Sequence, residues 1–290
     1  MFEGFDTRHV STGSAEIHCR IGGGGPPLLL LHGYPQTHAL WHKVAPMLAE
    51  RFTVVASDLR GYGDSERVVS DARHFAYSKR VMALDQVNLM TALGYSRFAV
   101  AGHDRGARVA HRMALDHRER VSRLALLDIV PTYDAFAATD TFMATAYFHW
   151  FFLIQPFDFP ERMIGNDPEL FLRQCLSRWS GSMGAFAPEA IAEYLRCFQD
   201  PAVIHASCED YRAAASVDLE HDAADRDRRI DCPLLVLWGK QGVVHKAFDP
   251  LKVWRDRAVS VEGRPLPCGH FLPEEAPEKT AGDLLEFFTR

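Results

Sequence analysis

The sequence predicts an α/β fold: a mostly parallel sheet covered by helices on both faces, with a helical cap inserted into the chain. Three observations carry the prediction. Short unbroken apolar runs recur, the pattern of strands buried on both faces. Stretches with apolar residues at helical spacing separate them, as crossovers between parallel strands require. The alternation stops at Pro131 and resumes at Pro233, which assigns residues 1–130 and 229–290 to one core and 131–228 to the cap.

The elements follow in order. Pro27 to Leu31 (PLLLL) reads as a strand ending at His32-Gly33. Leu40, Trp41, Val44, Met47 and Leu48 then share one helical face. Phe52 to Ala56 reads as strand again, and the segment Asp58-Leu59-Arg60-Gly61-Tyr62-Gly63 shapes a loop. The pattern predicts a helix over about 78–93, a strand over 98–101, a helix over 105–117 and a strand over 124–128. Within 131–228 aromatic residues recur at helix-like spacing, and no run matches the strands on either side. Pro233 to Gly239 restores the strand pattern, a late strand precedes the loop at Cys268, and 276–290 has the spacing of an amphipathic helix.

Composition narrows the functional classes. With 290 residues, 47% of them hydrophobic, the chain can bury a large core. A formal charge of −6 and the lack of a long Lys/Arg run argue against nucleic-acid and anionic-membrane partners, which need a basic surface. The aromatic stretch Tyr147 to Ile154 is far shorter than the about 20 apolar residues that span a bilayer. The N-terminal residues carry no basic region followed by an apolar run. Six cysteines (Cys19, Cys175, Cys197, Cys208, Cys232, Cys268) show neither a CxxC pair nor ligand spacing with histidine. These features point to free thiols in a reducing compartment, to a soluble cytoplasmic protein, and to no bound metal or other cofactor.

The chemistry concentrates at Gly102-His103-Asp104-Arg105-Gly106, which follows a strand and opens a helix. This is the glycine-flanked spacing of a nucleophile elbow, with a carboxylate at its centre. A carboxylate that attacks an acyl carbon gives a reactive anhydride, whereas at a saturated carbon it gives an alkyl ester that water can cleave. The substrates it suits are carbons bearing a halide or a strained epoxide oxygen. The bland alternative makes Asp104 an ordinary cap for the helix that follows.

An ester intermediate requires a general base and a group to orient it. His270, in the Cys268-Gly269-His270-Phe271 loop before the last helix, stands where chain order expects the base. Asp128, at the carboxyl end of the strand after the elbow helix, is its best-placed partner; the other choice is an acid after Trp238-Gly239, where none occurs before Asp249. Arg105 and Arg108, three apart at the start of the elbow helix, can face one carboxylate beside Asp104. Singly, His270 suits a loop histidine, Asp128 a turn residue and the arginines solvated helix charges; their joint order favours function.

Gly102 to Arg108 (GHDRGAR), His32 to Thr37 (HGYPQT), His149-Trp150, Cys208 to Ala213 (CEDYRA) and Gly269 to Glu275 (GHFLPEE) together closely resemble the fluoroacetate dehalogenases of the α/β-hydrolase superfamily. The similarity runs through essentially the whole chain. It implies hydrolytic release of halide from a haloacetate, with Asp104 as nucleophile, His270 as base, Asp128 as its partner, and Arg105 and Arg108 on the substrate carboxylate. It further implies that His149, Trp150 and Tyr211 donate hydrogen bonds to the departing halide, and that the chain forms a homodimer. Fluoride is a strongly hydrated leaving group, so converging donors must replace its water. Tyr34 departs from the family pattern, standing where phenylalanine is expected, and its hydroxyl bears on halide preference.

Two other functions fit parts of the pattern. An epoxide hydrolase would use the same aspartate and histidine with cap tyrosines, and Tyr133, Tyr147, Tyr194 and Tyr211 are available. The arginine pair argues against it, because most epoxides carry no carboxylate. A non-catalytic receptor for a small acid would have no need of a nucleophile and base together.

Overall fold

In a computed structural model describing all residues 1–290, the strands are β1 (Asp6–Ser11), β2 (Glu16–Gly23), β3 (Pro27–Leu31), β4 (Thr53–Ser57), β5 (Phe98–His103), β6 (Val121–Leu127), β7 (Leu234–Gly239) and β8 (Val261–Leu266). They form one sheet in the order β1-β2-β4-β3-β5-β6-β7-β8. From β4 to β8 every pairing is parallel; β1–β2 and β2–β4 are antiparallel. The unbroken apolar runs are explained by burial on both faces. Leu29, Leu31, Val100, Leu124, Leu126 and Val236 point into one core layer, and their neighbours Leu28, Leu30, Ala99, Ala125, Leu127, Leu235 and Leu237 into the other. Each fully buried leucine or valine contributes about 1.5–3 kcal/mol.

Helices α1 (Ala45–Ala49), α2 (Lys79–Ala92) and α3 (Arg105–Asp116) lie in the first half of the chain. Residues of α2 and α3 pack on the first layer, through Met82, Val87, Val109 and Met113. The second layer is covered by Leu48 of α1 and by Leu284 and Phe287 of the last helix. Ser78 caps α2 by accepting from the Val81 N–H, so the helix starts one residue later than its spacing alone predicts. The helical face expected over 40–48 is instead a 3-10 turn (His38–Trp41) followed by the short α1. Pro46 is the cause, since it lacks an N–H and disfavours helical backbone in the residue before it, which allows a helix to begin there but not to pass through.

Between β6 and β7 there is no strand and there are eight α-helices: α4 (Thr132–Ala137), α5 (Thr141–Ala146), α6 (Phe148–Leu153), α7 (Phe159–Asn166), α8 (Pro168–Trp179), α9 (Pro188–Phe198), α10 (Pro201–Ala214) and α11 (Val217–Ala224). After β7 come α12 (Val243–Ala247), α13 (Pro250–Arg255), α14 (Leu272–Glu275) and α15 (Pro277–Phe288).

The loop after β4 is held by Asp58, whose buried carboxylate accepts from the imidazoles of His18 (2.8 Å) and His38 (3.0 Å) and from the N–H groups of His38 (2.7 Å) and Asp64 (3.1 Å). Ligand-type atoms of His18, His38 and Asp58 thus lie within 4.8 Å of one another, a grouping that spacing along the chain does not reveal. With four donors on one carboxylate, the cluster acts as a clamp that fixes the Gly61–Gly63 turn beside it.

Candidate active site

β5 ends at His103 and α3 begins at Arg105, so Asp104 alone makes the turn, at φ +46° and ψ −114°. A positive φ costs a side-chain-bearing residue about 1–3 kcal/mol, which the surroundings must offset. The Asp104 N–H donates to Leu127 O (3.2 Å) and the Gly106 N–H to His32 O (2.8 Å). Only glycine fits on either side: a Cβ at Gly102 would stand 2.5 Å from Gly106 O, and one at Gly106 would stand 2.3 Å from His32 O. The Asp104 carboxylate makes no capping bond to α3, which removes the bland alternative. Its Oδ2 instead accepts from the Tyr34 backbone N–H at 3.0 Å.

Asp128 follows β6 immediately, at φ +54°. Its Oδ2 accepts from His270 Nδ1 at 2.6 Å and its Oδ1 from the Gly239 N–H at 2.9 Å. His270 is further fixed by its own N–H on Trp179 O (2.9 Å). Asp249, the other acid weighed above, merely caps α13 through the Lys252 N–H. Because Nδ1 is engaged by Asp128, Nε2 is the nitrogen left for chemistry.

Burial works against both charged forms and is outweighed in both. It lifts the Asp104 carboxyl, but the opposing charges of His270, Arg105 and Arg108 leave it below the usual carboxylate range. Burial lowers His270, yet the hydrogen bond and charge of Asp128, with Asp104 behind, hold it above an ordinary imidazole. His103, under the His270 carbonyl, is pushed down to about 3 by burial and by His270, so it is neutral.

Both arginines are already partly engaged by the protein. Arg105 is fully buried and its Nε and Nη2 already grip Asp210 of α10, at 2.9 and 2.7 Å. Asp210 also accepts from Tyr62 Oη (2.7 Å) and from Lys79 Nζ, so it is ionised, well below the usual range despite burial. Only Arg105 Nη1 is left, buried and without a partner in the protein. Arg108 Nη1 donates to Val130 O and Thr132 Oγ1, both at 3.0 Å, and its Nε is likewise unpartnered. Arg105 therefore offers the two N–H of Nη1, and Arg108 its Nε–H beside Nη2, which makes no hydrogen bond to the protein.

The helical insertion places His149 and Trp150 on α6 and Tyr211 on α10, all buried. The Arg105 guanidinium lies over the Tyr211 ring at 4.2 Å and that of Arg108 over the Trp150 ring at 4.8 Å. His149 Nδ1 and Tyr211 Oη are buried without partners, as is Trp179 Nε1 at the end of α8, whose ring centroid is 4.2 Å from that of His149. Burial holds His149 far below an ordinary imidazole, so it is neutral. The same burial, reinforced by the Asp104 charge, raises Tyr211. Asp210, Trp179 and the Tyr34 N–H escaped the sequence reading. Asp210 had a signal, an acid inside the CEDYRA segment one position before Tyr211, but nothing local to pair it with Arg105.

Tyr34 divides its contacts. Its ring stacks parallel to His149 (6.0 Å, 2°), while its hydroxyl, buried without a hydrogen-bond partner, sits beside Cys175, Tyr211, Cys208 and Ser207 of the insertion. A cleft of about 800 Å³, lined by Tyr147, Arg178, Trp179, Gln241, Lys246 and His270 among others, leads from the surface to His270. Asp104 is not part of its lining and is 7% exposed.

Comparisons with known proteins identify the family of the chain. Residues 26–277 match the family model described as alpha/beta hydrolase fold. The chain is 49% identical to a fluoroacetate dehalogenase from Burkholderia sp, covering 100% of this chain and 95% of that protein. It is 38% identical to a soluble epoxide hydrolase from Corynebacterium sp. (strain C12), over 94% and 93% of the two chains. A crystal structure of a candidate α/β hydrolase from Nostoc sp PCC 7120 superposes with a TM-score of 0.99 at 60% identity, each chain covered completely. The chain belongs to the α/β-hydrolase family, in the group of proteins related to the Burkholderia fluoroacetate dehalogenase.

Proposed function

We propose that the protein hydrolyses haloacetates to glycolate and halide through an ester on Asp104, and that residues 131–228 serve as the cap closing the site. The observation that carries this is the set of unpartnered buried donors around an ionised Asp104: Arg105 Nη1, Arg108 Nε, His149 Nδ1 and Tyr211 Oη. Buried polar groups without partners are rare, and a small anion bearing a leaving group satisfies all four. The arginine donors take the carboxylate; His149, Tyr211 and the Trp150 edge take the halide.

The steps follow from the bonds already made. Oδ2 of Asp104 is held by the Tyr34 N–H, so Oδ1 attacks the methylene carbon from the side opposite the halide. The C–O bond forms as the C–X bond breaks, and X⁻ leaves with the electron pair. Oδ2 becomes the ester carbonyl oxygen, and the Tyr34 N–H now stabilises the negative charge that builds there when water adds. His270 Nε2 takes the proton of that water, and Asp128 stabilises the imidazolium. Collapse returns the carboxylate and releases glycolate, one proton accompanying each halide.

The family relative named for fluoroacetate supports the substrate class. Six free cysteines support a reducing, cytoplasmic setting. No helix is long and apolar enough to cross a membrane. A groove on the cap in which Phe148, Met163 and Leu170 are 40, 59 and 56% exposed supports homodimer formation. The test is halide release from fluoroacetate and chloroacetate by the wild type and Asp104→Asn. Release by the wild type with a loss of about 10³-fold or more in the variant is expected; equal release by both would overturn the reading.

A further inference from the structure

We propose that the same pocket opens small epoxides that carry a carboxylate on the ring, 2,3-epoxy acids such as oxirane-2-carboxylate, and hydrolyses them to 2,3-dihydroxy acids. This rests on the roles given above to Asp104, His270 and the arginines.

The two leaving groups need different things. A halide departs as a stable anion and asks only for hydrogen bonds. The oxygen of an opening epoxide becomes an alkoxide, a far stronger base, and asks for a proton. Of the donors around Asp104, neutral His149 and the indoles hold their protons too tightly to part with them. Tyr211 Oη is a phenol that keeps its proton at neutral pH and is buried with no other partner. The Arg105 guanidinium, 4.2 Å above the Tyr211 ring, is placed to stabilise the phenolate left behind. None of the other cap tyrosines combines these features: Tyr194 Oη is spent on Glu274 (2.6 Å), Tyr133 lies under Arg226 at 4.8 Å and Tyr147 lines the solvent cleft.

The arginines then select which epoxide enters. Arg105 Nη1 and Arg108 Nε are buried without partners in the protein, so an epoxide without a carboxylate leaves both unpartnered, at about 1–3 kcal/mol each. The feature that argues against general epoxide hydrolysis thus favours an epoxy acid.

The chemistry balances. Asp104 Oδ1 bonds to a ring carbon as the ring C–O bond breaks, and the freed oxygen takes the Tyr211 proton. Water attacks the ester carbonyl and gives a proton to His270, which passes it to the departing alcohol. The proton left on the Asp104 carboxyl returns to the Tyr211 phenolate. The sum is epoxy acid plus water to diol.

The experiment gives purified wild type, Tyr211→Phe and His270→Asn each chloroacetate, oxirane-2-carboxylate and neutral propylene oxide. Expected results are halide from the first substrate, 2,3-dihydroxypropanoate from the second and at least tenfold slower turnover of the third. Tyr211→Phe should lower epoxy-acid turnover at least tenfold more than chloroacetate turnover. His270→Asn should carry an adduct on Asp104 that has lost the halogen with chloroacetate but retains every atom of the epoxide. Turnover of chloroacetate without any of the epoxy acid would overturn this inference and leave the dehalogenase reading standing. Equal turnover of neutral and acidic epoxides, or equal loss of both activities in Tyr211→Phe, would overturn it too. Inertness to all three substrates would remove the underlying site reading itself.

Discussion

In the sheet, Asp104, Asp128 and His270 sit at strand ends with hydrogen bonds made by nearby backbone or by one another; in the insertion, His149, Tyr211 and Trp179 are buried with donors that have no partner in the protein. The first region is fixed by chain geometry, since a positive φ and two obligatory glycines leave Asp104 one position. The second is fixed by packing and charge. Asp210 joins the two, reaching from α10 to hold Arg105 of α3 and Lys79 of α2. The contrast teaches that the groups proposed to attack and hydrolyse are built locally, while those proposed to recognise the substrate are assembled where the insertion meets the sheet.

That contrast can be broken at chosen points. The largest effect is expected for Asp210→Asn, which strands the buried Arg105 and leaves Lys79 only the Asp218 carboxylate at 3.5 Å, at about 3–5 kcal/mol. Thermal denaturation should show the loss, and adding Lys79→Met should restore part of the stability. In the folded double variant KM for chloroacetate should rise at least tenfold with a smaller change in kcat, because Arg105 loses its aim; an unchanged KM would detach Asp210 from recognition.

Gly106→Ala comes next, on the sheet side. A Cβ 2.3 Å from a backbone oxygen forces the elbow apart, at about 3 kcal/mol. Denaturant unfolding should show the cost, together with lost halide release.

A pH effect of about tenfold per unit is expected from His270. Its pKa lies above that of an ordinary imidazole, and only the neutral form accepts the proton of water. Ester hydrolysis should therefore fall as pH drops through that raised value, while the alkaline side of the limb stays flat. A limb centred below 6.5 would contradict the Asp128 pairing.

The smallest effect is expected for Tyr34→Phe. Its hydroxyl faces the insertion, so the ratio of fluoride to chloride release should change by less than about twofold. A tenfold shift would show that the hydroxyl reaches the halide.

Sequence alone made the central sheet and the strand ends that carry Asp104 and Asp128 legible, because burial on both faces writes itself as unbroken apolar runs and chain order places the candidate base after the acid. β1 and β2 were not legible: β1 is an exposed antiparallel edge with no apolar run, and β2 mixes glycine and polar residues. β8 could be placed only as a late strand, since Gly263, Arg264 and Pro265 blur its pattern. In the site, Asp104, Asp128 and His270 followed from spacing, whereas His149, Trp150 and Tyr211 came from family likeness alone. The Arg105–Asp210 pair spans 105 positions and leaves no periodic trace.

The central claim is that Asp104, not water, displaces the halide. A single turnover of chloroacetate in H₂¹⁸O, with enzyme in excess, tests it directly by mass spectrometry of the glycolate and of the peptide containing Asp104. The ester route places ¹⁸O in the Asp104 carboxylate and leaves that glycolate unlabelled. Label in the glycolate with none on Asp104 would mean direct attack by water, and the account would fail.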